Sequence, residues 1–570
     1  MKQNMIRKIF GSAMLASLVA LTGAVTSLTS CTDIDSNLVE FADDNKLNTP
    51  NDTLFSLVGI LGKMQKIADR TILLGDVRSD VVSLTPQASL DLQEIASFKA
   101  TDENPYNRVS DYYDIIQNCN YFLAHADTTL SKRGEKIFIR EYAAVKAFRA
   151  WTYLQLAINY GQVPFVTKPI LTEKDGNPSK YPLYDVNQMA DYFIEDLAPF
   201  VDTKYPNNGL TSSTQFYPVR VLLGDYCLWS GRYVEAATYY HDYLTELNQP
   251  KPIYVNAVQW TDTKFQGRPL DSYSSQSYAT VIEMEEKIYD GTISRLADVY
   301  ASTNANLYFY QATASEYLKQ LSRSQRYVMT HLDVTTLTTD TIIPADTIVF
   351  DDPNLRGDLR LYATVKQNPA RQQNTTFNTI DQTISKFRFQ KSSTEDIQIC
   401  QNIQILKNSS VYLRYAEALN RAGFPTLAFA VLKYGIWYQT LEPERKYVSA
   451  AEVEAAGDLV KFSSTYFTDQ TTIGIHSRGC GNAAADVEYV IPELETLQDS
   501  ILFVEDRILD EQALDESFEG LRFGTLQRIA LRRNAPELFA DHVASRSGLR
   551  DETLYERLLD PKNWYLPLPR

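Results

Sequence analysis

Histidines, cysteines and paired carboxylates are the usual material of enzyme sites, and in this chain their spacing supports none. The five histidines, His125, His241, His331, His476 and His542, have no metal-ligand spacing to one another, and neither H-E-x-x-H nor a paired-cysteine motif occurs. A G-x-S-x-G nucleophile turn and a phosphate-cradling P-loop are also missing. Gly479-Cys480-Gly481 lacks the downstream glycine of a dinucleotide fingerprint and reads as a turn. Carboxylate pairs such as Asp351-Asp352 are common in an acidic chain. A glycosidase needs two carboxylates at a set separation in different environments, which adjacency in sequence does not supply. No catalytic residue, metal site or cofactor is assigned, and the chain reads as a binding protein.

Binding chemistry is better represented. The chain holds 36 tyrosines against 5 tryptophans, and sugar rings stack their apolar C–H faces on aromatic side chains. Tyr273 and Tyr278 precede the run Asn304-Ala-Asn306-Leu-Tyr308-Phe-Tyr310-Gln311. Aromatic faces beside amides that both donate and accept hydrogen bonds suit a hydroxyl-rich ligand. The alternation of Tyr308 and Tyr310 equally suits a strand or helix packed on the core.

The elements that must position these residues are mostly helical. In Pro218–Pro250, Leu223-Gly224, Gly231, Ala236 and Tyr240 follow tetratricopeptide spacing, in which small residues let two helices approach and glycine turns the chain. Tyr415-Ala416, Gly423, Ala428 and Leu432 repeat it. Tyr142–Tyr160, ending at Gly161, and Tyr112–His125 add helices of the same period. The two good copies lie far apart, so a continuous solenoid is not expected. Segments 251–390 and 437–500, with short β-like runs such as Tyr254–Val258 and Thr341–Phe350, are expected to be long loops and small strands rather than helices. The fold class is thus mainly α, a helical-pair scaffold with loop-rich insertions. Without a Gly/Ser- or Pro-rich linker, residues 31–570 read as one unit.

Residues 1–30 read as an address. Lys2, Arg7 and Lys8 lead an apolar run, Met14–Val25, that falls short of the roughly 20 residues needed to span a bilayer. Leu28-Thr29-Ser30-Cys31 resembles a bacterial lipobox, which implies lipidation of Cys31 and attachment to a membrane. Loss of the leader takes the net charge from −16 to −19, a balance that repels polyanions and argues against nucleic acid as partner. Cys119, Cys227, Cys400 and Cys480 are widely spaced in a chain long enough to build its core without disulfides, so buried free thiols are expected.

With these segments placed, the chain resembles the SusD/RagB family of outer-membrane nutrient-binding lipoproteins. Arg149-Ala-Trp-Thr-Tyr153 with Asn159-Tyr-Gly-Gln-Val-Pro-Phe165 is similar to the family's RAxxYxxLxxxYGxVP segment. Val411–Gly423 resembles its LRxAEAxxRxG helix, and Phe518-Glu-Gly-Leu-Arg-Phe523 with Leu526-Gln-Arg528 its EGxRxxDLxR block. Tyr112–Asn120 is similar to YxxIxxxN, and Leu566-Pro-Leu-Pro569 to the terminal PxP. Two departures stand out: Gln512 where the family often has Arg, and Gly524-Thr525 where it often has an aromatic-Asp pair. Glu519 and Arg522 flank Gly520, where an ion pair and a cap would fix a sharp turn.

The resemblance implies a lipid-anchored protein on the outer face of the outer membrane, for which the acidic stretch after Cys31 looks like the export signal of Bacteroidetes lipoproteins. It implies non-covalent capture of a glycan and its delivery to a TonB-dependent, SusC-like transporter. It also implies a second binding place, at Arg78-Ser79-Asp80. Starch-binding members carry aromatics after the corresponding aspartate. This chain has Val82-Ser83-Leu84-Thr85 instead, which argues against starch. The alternatives are a peptide-capturing member of the family, a purely structural repeat protein and a lipid-anchored hydrolase. If the Tyr-rich run stacks on the ligand, Y308A and Y310A each weaken binding about tenfold or abolish it. Unchanged affinity in both variants, measured by titration calorimetry, removes the run from the site.

Overall fold

The structure, a computed structural model, describes residues 47, 49–207, 213–249, 251, 280–285, 311–333, 338–342, 357–367, 382–384, 386, 388–389, 398–399, 402–437, 441, 447–468 and 472–568. Its scaffold is a run of helices, and their starts follow from local chemistry. The first, α1 (Pro50–Gln65), opens with Thr49 Oγ1 accepting the Asp52 N–H and Pro50 at the first position, where a missing N–H costs nothing. It is followed by α2 (Ala68–Val77), α3 (Val109–His125) and α4 (Ile139–Tyr160). Next comes α5 (Val186–Leu197), fixed by a capping box between Asp185 and Gln188. The tetratricopeptide-like pairs are α6 (Val219–Ser230) with α7 (Tyr233–Leu244), and α8 (Asn408–Arg421) with α9 (Pro425–Lys433). The C-terminal region supplies α10 (Leu497–Asp515), α11 (Arg522–Arg533), α12 (Pro536–Ala544) and α13 (Glu552–Leu558).

The spacing that marks the first pair has a direct steric cause. A Cβ on Gly224 would lie 2.6 Å from Tyr240 Cε1, so glycine is what lets α6 and α7 close on each other. The expectation that the two copies are not continuous is corrected. Helix α7 packs against α8, and the helices stack in the order α3, α4, α5, α6, α7, α8, α9, with α10 lying across α8 and α9. Arg414 Nη1 of α8 donates to both carboxylate oxygens of Asp225 on α6, at 2.8 Å each, and Tyr240 OH of α7 donates to the same carboxylate at 2.7 Å. The long insertion therefore leaves the stack after α7 and returns to the adjacent position.

The insertions are also not free of helix: Glu316–Ser324, Leu359–Thr364 and Ala450–Ala456 are helical. The first of these has Ser315 as its N-cap, a signal hidden in a polar stretch. Small antiparallel pairs complete the fold, Thr280–Glu285 with Asn402–Lys407, Met329–Asp333 with Thr338–Ile342, and Val82–Leu84 with Ala312–Ala314. Of the β-like runs expected from sequence, Tyr254–Val258 lies outside the described residues, as does Thr341–Phe350 beyond Ile342. Cys119, Cys227 and Cys480 are buried free thiols, while Cys400 and Cys31 lie outside the described residues.

One apolar cluster runs from Leu57 to Leu566 through the helix stack. A smaller one, including Phe98, Phe523, Phe539 and Trp564, gathers the C-terminal helices, and Ile158 of α4 packs against both. The segment between α10 and α11 joins them. A Cβ on Gly75 of α2 would fall 1.8 Å from the Gly520 carbonyl oxygen, and one on Gly520 would fall 2.6 Å from Ile72 Cα, so the two backbones touch. Gly520 N–H donates to Asp76 Oδ1 at 3.0 Å. The expected Glu519–Arg522 pair does not form, because the turn sends the two side chains to different partners. Glu519 Oε1 accepts from Lys407 Nζ at 2.6 Å and pairs with Lys386 Nζ at 2.5 Å, whereas Arg522 reaches Asp80. Both departures from the family pattern are accommodated. Gln512 Nε2 donates to Glu417 at 3.4 Å, and Gly524 sits against Ile158 and Trp229.

Alanine at Gly75 must push two backbones apart and is expected to cost about 3 kcal/mol or more. Alanine at Gly59, on an exposed face of α1 with nothing within 4 Å, should instead stabilise by about 0.5–1 kcal/mol. Urea unfolding of the two variants measures the contrast, and equal midpoints would contradict the contact.

Candidate functional site

Of the two places singled out by sequence, the turn carrying Arg78-Ser79-Asp80 is described, and Gln311, the last residue of the Tyr-rich run, lies beside the strand that follows it. Asp76 O accepts from Ser79 N–H at 3.0 Å and from Ser79 Oγ at 2.8 Å, a turn that carries the chain from α2 into Val82–Leu84. That strand pairs with Ala312–Ala314 in the register Val82↔Ala314, Ser83↔Thr313, Leu84↔Ala312. Gln311, the residue directly after Tyr310, extends the junction. Its carbonyl accepts the Thr85 N–H and its Oε1 the Ser89 N–H, both at 2.9 Å. Ser315 closes the other end, with Oγ donating to the Asp80 carbonyl at 2.5 Å while accepting the Leu318 N–H at 3.0 Å. Tyr273, Tyr278, Asn304, Asn306, Tyr308 and Tyr310 lie outside the described residues.

Arg78 and Asp80 underlie this junction rather than lining a surface. They are 1% and 0% exposed, and their polar atoms are taken by protein partners. Arg78 donates from Nε to the Leu74 carbonyl at 2.9 Å and from Nη2 to Asn159 Oδ1, and its guanidinium lies 3.9 Å over the Phe523 ring. Arg522 donates to Asp80 through two parallel bonds of 2.7 Å, and His542 Nδ1 lies 2.8 Å from Asp80 Oδ2. Burial alone would raise the Asp80 pKa. The Arg522 charge and the bonds from Arg522 and His542 outweigh it and hold the carboxyl well below the usual carboxylate range. Arg546 ties the same turn to the Val77 carbonyl at 2.9 Å and the Ala96 carbonyl at 2.9 Å. An Asp–His pair is half of a hydrolytic relay. Here Arg522 engages both Asp80 oxygens, and Tyr317 packs edge-on against the imidazole with centroids 5.3 Å apart.

Burial raises the proton affinity of several carboxyls, Glu141, Glu452, Glu505, Asp510 and Glu516, in the direction a general acid needs. Burial pushes Asp510 up to about 6 and Glu516 up to about 7. Glu516 is 2% exposed, and Asp510 is paired with Arg507 at 3.0 Å. Among the described residues no three His, Cys, Asp or Glu side chains group to hold a metal ion. Pro86, Gln87 and Leu90 are the exposed residues of the Val82–Leu90 segment, and none is charged. Gln87 presents an exposed amide, Leu90 stands 76% exposed beside it, and Ser83 Oγ is buried with no partner among the described residues. An exposed amide of this kind can form hydrogen bonds with an uncharged, hydroxyl-rich ligand. Sequence reasoning missed Arg522, His542 and Ser315 as supports of this site. Arg522 is 442 residues from Asp80, and no local pattern links them.

No family model and no curated protein matches the chain. Its fold, however, is shared with solved structures. A SusD superfamily protein of Bacteroides thetaiotaomicron superposes with a TM-score of 0.53 at 16% identity, covering 84% of this chain and 89% of that one. A SusD superfamily protein of Bacteroides vulgatus gives 0.55 at 14%, with 89% and 91% covered. A laminarin-binding SusD-like protein gives 0.50 at 16%, with 89% and 95% covered. The chain thus shares its fold with SusD superfamily structures: a mainly helical scaffold with small β elements.

Because the Asp80 pKa is depressed in the folded state, its contribution to stability is full above the ordinary carboxylate range and is lost as pH falls below about 4. D80N strands the Arg522 charge in the interior. It is expected to lose about 3–5 kcal/mol at pH 7 and to show a shallower loss on acidification. Melting temperature against pH for both proteins tests this, and parallel acid limbs would refute it.

Proposed function

We propose that this protein is a lipid-anchored outer-membrane receptor that binds a glycan without chemical change and passes it to a TonB-dependent, SusC-like barrel transporter. The observation that carries this reading is the SusD-superfamily fold, shared over most of the chain with a protein described as laminarin-binding. The anchor is Cys31, at the end of the lipobox-like segment. No described helix is long and apolar enough to cross a membrane.

The binding surface centres on the Val82–Ser89 and Gln311–Ala314 junction, with the tyrosines and asparagines before Gln311 supplying stacking faces and amides. The place where the chain enters the scaffold lies at the other end of the helices. Leu47 bridges to Ala126 at the C-terminal end of α3, whereas Asn159, which meets Arg78, is near the C-terminal end of α4. Helices α3 and α4 form a hairpin, and α4 is 22 residues long, so roughly 30 Å separates the two sites at about 1.5 Å per residue. The ligand surface is thus clear of the point at which the tether joins the body.

Affinity electrophoresis of the protein beginning at Thr32, through gels containing plant, host and microbial polysaccharides, tests the ligand class. Retardation by one neutral polymer is the expected result. Free migration through every gel would overturn the polysaccharide reading.

A further inference from the structure

Between the residues that close the core and the start of α10 runs a strap, Asp486-Val-Glu-Tyr-Val-Ile-Pro-Glu-Leu-Glu-Thr-Leu497. It displays four large apolar side chains to solvent: Val487 at 79% exposure, Val490 at 46%, Leu494 at 37% and Leu497 at 57%. A single exposed leucine needs no explanation, but four within eleven residues do.

The strap is held firmly from below. The Asp486 and Tyr489 carbonyls both accept from Lys433 Nζ, at 2.7 Å each. The Tyr489 ring stacks on His476 with centroids 3.9 Å apart and planes 5° from parallel, and it lies 5.0 Å from Phe429. Ile491 packs on the main core. At the far end Thr496 and Asp499 cap each other's N–H groups at 3.1 Å. Inward anchors at 486, 489 and 491 therefore fix the backbone and force Val487 and Val490 outward. The exposure is built in, and no folding of the strap on itself relieves it.

Acidic residues interleave with these apolar ones. Glu493 and Glu495 are exposed on either side of Leu494. Glu488 is paired with Arg326. This pattern selects among occupants. Membrane-binding segments surround their apolar face with Lys and Arg, which this strap does not. A second copy of this chain, with net charge −16, would bring acid against acid. A protein surface with an apolar depression bordered by Lys or Arg satisfies both features.

We propose that residues 487–497 are a preformed docking strap for a different protein partner that offers such a basic-rimmed apolar depression, whatever ligand the molecule carries elsewhere. Preorganisation by Lys433, Tyr489 and the Thr496 cap lowers the ordering cost of binding.

The test is a photo-crosslinking amino acid at position 494 of the full-length lipidated chain in its native cell envelope, with the adduct sequenced by mass spectrometry. The expected result is one adduct, to a protein other than this chain, at a peptide combining apolar residues with Lys or Arg. Its yield should fall about tenfold or more in E493K/E495K and in V487S/L497S, while the melting temperatures of both variants stay at the wild-type value. An adduct to a second copy or to lipid, no adduct, or a yield unaffected by both variants would overturn the proposal.

Discussion

Backbone contact between Gly75 and Gly520 is the constraint on which the remainder of the molecule depends. With a Cβ–oxygen distance of 1.8 Å for any larger residue at 75, no other residue fits without displacing α2 from the α10–α11 turn. Once the two backbones touch, the residues around Gly520 have few places to go. Asp515 and Glu519 face one interior region, where Arg478 Nη1 lies 3.0 Å from Asp515 Oδ1 and Lys407 Nζ lies 3.0 Å from Asp515 Oδ2. Arg522 faces another and meets Asp80. Charges placed so deep are costly unless each meets an opposite charge and further hydrogen bonds, and breaking one pair leaves its partner stranded. The glycine contact and the ion pairs therefore stand or fall together.

This arrangement also shows how the helical scaffold holds the turn and short strand that follow α2. The turn after α2 is clamped by Arg522, His542, Arg546 and Ser315, which come from the C-terminal helices and from the insertion. Two short strands, each of three residues, would be marginal alone. Fixed at Asp80 beneath and at Gln311 beside, they form a defined edge. Residues held on such rigid support keep their placement, which any binding surface needs.

The helical stack shows the same economy. Asp225 accepts from Tyr217, Tyr240 and Arg414, so one buried carboxylate joins α6, α7 and α8. The chain can then spend residues 251–407 on insertions and re-enter the stack at α8 without loss of register between the two helical pairs. The strap before α10 is an insertion of the same kind. Its backbone is bonded to Lys433 of α9 and its side chains are left outward.

Much of this was legible in the residues. The small-residue spacing at Gly224 and Ala236 reports helix contact because glycine and alanine set how closely two helices can approach, and that requirement is local. The glycine after Tyr160 is a local signal as well, so that helix and its end could be read directly, whereas the short helices of the insertions, such as Glu316–Ser324, could not. The fold class followed from the resemblance in motif order. Side-chain destinations could not be read. Glu519 and Arg522, three residues apart, part company to Lys407 and Asp80, and Arg78 and Asp80 turn inward although the family resemblance placed a binding site there. The sequence alone determined the helical pairs, where they turn and how closely they could approach. Only the tertiary structure decided which charges meet, that the two helical pairs are neighbours, and that the turn at Asp80 lies beside Gln311. Those contacts join residues hundreds apart, and their partners are selected by three-dimensional burial, which forces each charge to the nearest opposite one, and not by spacing along the chain.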